Sequence, residues 1–401
     1  MPGNFKPQAD FSLTVSRCVH KVTEAASNFM STVTKGLEGV IASATRIGDV
    51  RGDIGELVYA GYNINELAGK VCFEEVVFLL WENRLPDRKE LQSLQAELIA
   101  ARPLPNTVVE MLKSLPKDAK PMNVLRTAVS MLGALDPEAD LNTPEANRLK
   151  AIQLTAQFPV IVAKWHRLRQ GLPIVPPSPQ YNTAANFLYM ITGKDPGAEA
   201  VDVMDMALVL HAEHGFNAST FAARVTIATL SDMYSAICSA VGTLKGPLHG
   251  GANEGVIHML MEIGEESRVD AYVRAKLANK ERIMGIGHRV YKTLDPRAPH
   301  LKRLAEKLSA KVDPKWLRMS EHIAAIMKKE KNLDANVDFY SATVYYSLGI
   351  PTDLFTPIFA ISRVAGWTAH VLEQLADNRL IRPLSDYTGV RDLKVVPIDQ
   401  R

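Results

Sequence analysis

Strand-like alternation is confined mainly to one stretch of this chain, Gly39–Tyr62, and helical spacing governs most of the rest. A 401-residue chain patterned this way must build its core by packing helix on helix, with room for one small N-terminal sheet. The boundary signals agree. Asp87 is placed to cap a helix, with Glu90 three residues on as its capping-box partner; Leu91, Leu94 and Leu98 line one face and Pro103 closes the element. Thr143-Pro144 starts another helix, with proline at the first helical position, a break or kink expected at Pro159 and a stop at Gly171. The prolines from Pro173 to Pro179 predict an extended surface connection. Helical pattern resumes through Asn186–Ile191 and from Val201 to His211. Within the alternating stretch, Gly48, Gly52 and Gly55 read as turns. No internal repeat or low-complexity block is visible.

Composition decides what kinds of function remain. A formal net charge of +2 gives no overall basic field of the kind that collects nucleic acid, so any anion must be held by local arginines and lysines. No apolar run approaches the ~18 residues of a membrane span. The three cysteines, Cys18, Cys72 and Cys238, form no CxxC pair, which disfavours a zinc or disulfide scaffold and favours a reducing, cytoplasmic setting. The first 35 residues lack a secretory pattern. From Val15, the apolar residues Val19, Val22, Ala26, Met30 and Val33 predict a helical stripe packed on the core or on a partner subunit. An amphipathic organelle-targeting segment is the alternative, weakened by sparse arginine and by Asp10 and Glu24.

Several stretches carry chemistry-bearing residues. GPLHGGANEG sets His249 before Gly250 and Gly251, where the lack of side chains lets a ligand approach the backbone; alone, such a histidine is as readily a turn residue. IMGIGHRVYKTLDPRA, from Ile283 to Ala298, adds His288, Lys292 and Arg297. Its Gly-x-Gly pair follows no clear strand, so a dinucleotide-binding fold is not supported. Lys292 and Arg297 are spaced so that one can reach a phosphate and the other a carboxylate. NVDFYS carries Asp338, which could equally cap the helix of Tyr340–Leu348. AEHGFNAST holds His214 and Asn217, and FTPIFAISRVAGWTAH holds Phe359 and Arg363. An arginine in so apolar a segment needs a partner on burial, and a substrate carboxylate is one. IRPLSDYTG places Arg382 near the C-terminus. Two imidazoles and a carboxylate suffice to take a proton from carbon and stabilise the enolate. No metal cluster is visible and this chemistry needs none.

Taken together and in order, GPLHGGAN, MGIGHRVYKTLDPRA, NVDFYSATVYYSLGIP and FTPIFAISRVAGWTAH resemble the signature segments of the citrate synthases, specifically the shorter bacterial type; KGLEGV, GYNINELA and FEEVVFLLW resemble the family's N-terminal part. The resemblance runs from Gly36 to the C-terminus. It implies a mainly α-helical two-domain fold with a small N-terminal sheet: an N-terminal helical extension over 1–35, a large domain over 36–236 and 341–401, and a small CoA-binding and catalytic domain over 237–340. It also implies a homodimer, with higher assembly open, and partners limited to oxaloacetate and acetyl-CoA, the latter a substrate, with no resident cofactor, nucleic acid or membrane.

By the same resemblance, Asp338 is the base that takes a methyl proton from acetyl-CoA. His249 supports the thioester oxygen, and His288 polarises the keto oxygen of oxaloacetate. His214, Asn217, Arg297, Phe359 and Arg363 match substrate-binding positions, and Arg382 matches an arginine supplied by the neighbouring subunit. The loop Ile283, Met284, Gly285, Ile286 and Gly287 matches the segment that contacts the CoA adenine, with Lys292 near a CoA phosphate. Two departures, Ala60 where many relatives carry arginine and Lys120 where histidine is common, lie away from the chemistry.

Three competing readings follow. A 2-methylcitrate synthase, taking propionyl-CoA, shares the catalytic set, but GHRVYK rather than GHPVY and GPLHGG rather than GPKHGG lean towards citrate and the tricarboxylic acid cycle. A non-catalytic oligomeric scaffold on the same fold would have lost Asp338, His249 or His288, and none is missing. A citrate-cleaving lyase module would need a nucleotide-activating domain.

Overall fold

The computed structural model describes residues 34–401, and the helical stripe expected over Val15–Val33 lies outside them. The described residues fall into two compact units. One holds 34–44 and Arg382–Arg401, with short 3-10 turns at Lys35–Leu37 and Ile398–Gln400 and strongly exposed Ile41, Leu384 and Val395. The other, Thr45–Ile381, contains everything else.

That unit begins with a three-stranded antiparallel sheet, β1 (Gly48–Arg51), β2 (Glu56–Tyr59) and β3 (Tyr62–Asn63), in the order β1-β2-β3, with Gly48 opposite Tyr59 and Arg51 opposite Glu56. Gly52 and Gly55 form the turn, as expected, but Gly48 is inside β1. Its glycine serves close approach instead, because a Cβ there would stand 3.0 Å from Cγ of Glu213. Sixteen α-helices follow among the described residues: α1 (Ile64–Leu67), α2 (Phe73–Glu82), α3 (Arg88–Ala101), α4 (Asn106–Ser114), α5 (Pro121–Leu135), α6 (Pro144–Arg169), α7 (Thr183–Thr192), α8 (Ala198–His211), α9 (Ala218–Ile227), α10 (Met233–Leu244), α11 (Ala252–Ile263), α12 (Val269–Ala278), α13 (Ala298–Ser309), α14 (Lys315–Lys331), α15 (Val337–Ser347) and α16 (Phe355–Ala376). None is long and apolar enough to cross a membrane.

Local chemistry explains the ends. Asp87 accepts the Glu90 amide and Glu90 reciprocates, a capping box that starts α3, and Leu94 and Leu98 are buried on its inner face. Thr143 caps α6 and Pro144 occupies its first turn. The helix does not break at Pro159, however. Phe158, Pro159 and Val160 are all buried, and tertiary packing outweighs the missing N–H. The 172–180 connection is extended, as its prolines dictate.

Two packing groups position the site. Helix α16 is buried nearly all round, as its apolar sequence requires, and packs against α2, α6, α8, α9 and α10. Gly366 makes this possible, since a Cβ there would meet the Ala212 carbonyl oxygen at 2.4 Å. The chain leaving α8, Ala212–His214, is thereby laid beside Arg363. In the second group α15 packs on α11, α13 and α14.

Candidate active site

Three of the expected functional residues lie at or beside helix starts. Asp338 is the second residue of α15, Arg297 the N-cap of α13, and His249 stands just ahead of Gly251, the N-cap of α11. Free amides and the positive end of the helix dipole make such places suited to anions. Asp338 is not the cap of its own helix. Asn336 is, and its Oδ1 accepts the Asp338 amide at 3.0 Å. The Asp338 carboxylate is thus free for other work. The residue is half-buried, but its Oδ1 is out of contact with solvent and finds no hydrogen-bond partner among the described residues. Burial pushes its pKa up to about 7, against the pull of the Arg297 and Arg363 charges.

His288 is oriented by its own loop. The Val290 and Tyr291 amides donate to Nδ1 at 3.0 and 3.1 Å. Backbone amides only donate, so the ring proton resides on Nε2. Burial, helped by the charge on Arg297, lowers the pKa to about 4 and keeps the ring neutral. His214 stands beside it, ring centroids 5.3 Å apart, with its Nε2 3.2 Å from the Tyr291 hydroxyl. Burial and the Arg297 charge hold His214 well below the ordinary range.

His249 is oriented from a distance. The Ser219 amide donates to Nε2 at 3.3 Å, so the proton sits on Nδ1, and Ser219 Oγ lies 2.8 Å from the same nitrogen. Trp367 Nε1 in turn donates to Ser219 Oγ at 3.1 Å. Burial, then the Arg363 charge, brings the pKa of His249 to about 4. Asn217, expected to bind substrate, is instead consumed by its own turn. Its Oδ1 accepts from the Thr220 amide and shares the single Ser219 hydroxyl proton with His249 Nε2, and its Nδ2 donates to Gly215 O and Thr220 Oγ1. Ser219 Oγ links it to His249.

The two buried arginines differ. Arg297 makes a bidentate pair with Asp295 at 2.9 and 2.8 Å, and the other Asp295 bonds fasten the Arg297 and Val337 amides. Burial alone would raise the Asp295 carboxyl, but the Arg297 charge and hydrogen bonds hold it below its ordinary value. Arg297 therefore offers a substrate only the edge that Asp295 leaves free. Arg363 donates from Nε to the His211 carbonyl at 2.7 Å, stacks 4.8 Å from the Phe359 ring, and has no carboxylate at ion-pair distance among the described residues. Burial lowers its pKa to about 10, with the Glu213 charge offsetting part of the loss, so it remains a cation at neutral pH.

The 283–287 loop turns on Gly285 and Gly287, with φ of +74° and +77°. Glycine is required at 285, because a Cβ would lie 2.6 Å from Val256 and 2.8 Å from Phe339. The loop is tied to Asn336, whose amide bonds Gly285 O and whose Nδ2 bonds Gly287 O at 2.8 Å. Beyond it opens a cavity of about 220 Å³ lined by Gly287, His288, Lys292, Leu333 and Asn336 among others. Ile283 is buried in the core, so only its backbone can serve a ligand, while Met284 and Ile286 are half-buried and Lys292 is exposed. Arg382 belongs to the terminal unit and is exposed.

The structure thus draws His214, His249, His288, Arg297, Arg363 and Asp338 into one mutually influencing set. Sequence reading missed Asp295, Tyr291 and Ser219. The first two lie inside the Ile283–Ala298 segment, where an aspartate two residues before an arginine was the available signal. Ser219 offered none.

A family model for the citrate synthase C-terminal domain matches residues 36–384. Citrate synthase 2 of Bacillus subtilis is 52% identical over 372 residues, covering 92% of this chain and all of that protein. The 2-methylcitrate synthase 1 of Corynebacterium glutamicum is 44% identical over 379 residues, covering 92% of this chain and 99% of that one. The ternary complex of carboxymethyl coenzyme A and oxaloacetate with citrate synthase from Thermoplasma acidophilum superposes with a TM-score of 0.88 at 35% identity, covering 92% of this chain and all of that one.

Proposed function

Because the chain belongs to the citrate synthase family, we propose that it condenses acetyl-CoA with oxaloacetate and water to give citrate and CoA. The observation that carries this is the Asp338 carboxyl: half-buried, with Oδ1 shut from solvent and unpartnered among the described residues, and pushed up to titrate near neutrality. A carboxylate is a feeble base towards C–H, and raising its pKa strengthens it. Asp338 takes a methyl proton while His249 Nδ1–H donates to the thioester oxygen, stabilising the enolate. The enolate carbon attacks the keto carbon of oxaloacetate; the carbonyl π pair moves to the keto oxygen, which His288 Nε2–H hydrogen-bonds and which becomes the citryl hydroxyl by taking up a proton equivalent to the one Asp338 removed. Arg297 and Arg363 hold the carboxylates. Water then cleaves the thioester of citryl-CoA and the thiol departs. The 283–287 loop, the adjoining cavity and Lys292 are assigned to CoA.

Around this chemistry the proposal places a small domain, 237–340, closing over a large one when oxaloacetate binds. It places a homodimer in which Arg382 completes the partner's site, a cytoplasmic enzyme of the tricarboxylic acid cycle, and no resident metal or cofactor.

The test is thiol release from acetyl-CoA with oxaloacetate, run beside propionyl-CoA. The expected result is turnover with a higher kcat/KM for acetyl-CoA. A preference for propionyl-CoA would make this a 2-methylcitrate synthase, as in the relative 44% identical to it, and release from neither would favour the scaffold.

A further inference from the structure

The turn between β1 and β2 faces the 290–294 segment, which lies between His288 and Arg297. The Lys292 amide donates to the Gly52 carbonyl at 2.8 Å. A Cβ on Gly52 would stand 2.1 Å from the Val290 carbonyl oxygen, and one on Gly55, where φ is +68°, 2.8 Å from the Leu294 oxygen. Nothing larger than glycine fits at either position unless backbone moves. The opposite edge of the same peptides holds the imidazole. Val290 and Tyr291 amides fill His288 Nδ1, and the Tyr291 hydroxyl meets His214. The 290–292 backbone is therefore clamped between the sheet turn on one side and the histidine on the other.

We propose that Gly52 is a positioning residue for the oxaloacetate site, acting through the Val290–Lys292 backbone to aim His288 Nε2 at the keto oxygen; this rests on the role given to His288 above. The contact is backbone against backbone, so it fixes position without constraining the side chains of the turn, and Ile54 at its tip is 61% exposed. Relieving the Gly52→Ala overlap requires the Val290 carbonyl to retreat by about an ångström, and a misplacement of that size at a catalytic group costs about 10²-fold.

The experiment compares Gly52→Ala and Ile54→Ala with the wild type, varying each substrate separately. Gly52→Ala is expected to lower kcat/KM for oxaloacetate about 10²-fold, with KM for acetyl-CoA within about twofold of wild type. Ile54→Ala is expected to match the wild type. Unchanged kinetics in Gly52→Ala, or an equal loss towards both substrates, overturns the proposal. Amide hydrogen exchange in the wild type gives a second reading that does not depend on the variant folding. The Lys292 amide must be protected, and protected further by oxaloacetate; exchange at the rate of an exposed loop overturns the clamp. A wild type that releases no thiol refutes the functional reading instead, while Lys292 protection in the free protein still reports on the turn.

Discussion

The two imidazoles proposed to be catalytic are oriented in two ways. Each is neutral, each has one nitrogen occupied by backbone N–H donation, and each keeps the N–H on the other nitrogen. His288 draws both amides from residues two and three places on, within its own loop. His249 draws its amide from Ser219, thirty positions away, and Ser219 is itself held by Trp367 and Asn217. A locally built orientation survives wherever the loop keeps its shape. A remotely built one depends on how α9, α11 and α16 pack. The first is exposed to damage through the backbone that supports it, the second through side chains at a distance.

The largest expected effect belongs to neither imidazole. Asp338→Ala should lower turnover by about 10²–10⁴-fold while oxaloacetate affinity stays nearly intact, which calorimetry can check; collapse of that affinity would contradict the division of roles. Next come the rings themselves. His249→Gln and His288→Gln should each cost about 10²-fold in kcat, but only His288→Gln should weaken oxaloacetate binding. Equal effects on binding would erase the contrast between the two rings. Ser219→Ala sharpens it. The variant keeps the amide on His249 Nε2 and loses the hydroxyl, so kcat should fall about five- to tenfold with KM for oxaloacetate unchanged, the scale of one hydrogen bond.

Smallest is a stability effect with a definite sign. The Asp338 pKa is raised on folding, so below its unfolded value near 4 the group is protonated in both states, and folded stability is then lost as pH rises towards 7. Asp338→Asn should therefore raise the Tm of the free protein at pH 8 by a few degrees. His249 and His288 run the other way. Their pKa values fall on folding, so stability is lost as pH drops from about 6.5 towards 4. A Tm for Asp338→Asn at or below wild type at pH 8 would show that the carboxylate is not strained in the free protein.

Much of this was legible in the chain. The helix starts at Asp87 and Thr143 were local chemistry and could be read as such. So could the residues of the Ile283–Ala298 segment, because its support is written into consecutive positions. What could not be read was whatever another element decides. Pro159 sits inside α6 because buried neighbours outweigh a lost bond. Gly48 lies in a strand, paired with Tyr59, and a Cβ there would press on Glu213, far along the chain. Asn217 carries the residue type of a substrate contact, but Ser219, Thr220 and Gly215 occupy all its polar atoms. Residue type announces capability, and three-dimensional neighbours decide whether any of it is left over.

Arg363 is the case where something is left over. A guanidinium shut away from solvent, resting on an aromatic face and one peptide oxygen, selects first by valence and only afterwards by shape. Neutral alcohols and amides of substrate size should leave the protein's melting curve where it was. Small diacids should raise it even when they cannot react, and a monoacid should do so less. Selection among diacids then falls to the spacing between Arg363 and the open edge of Arg297, a ruler set by the scaffold.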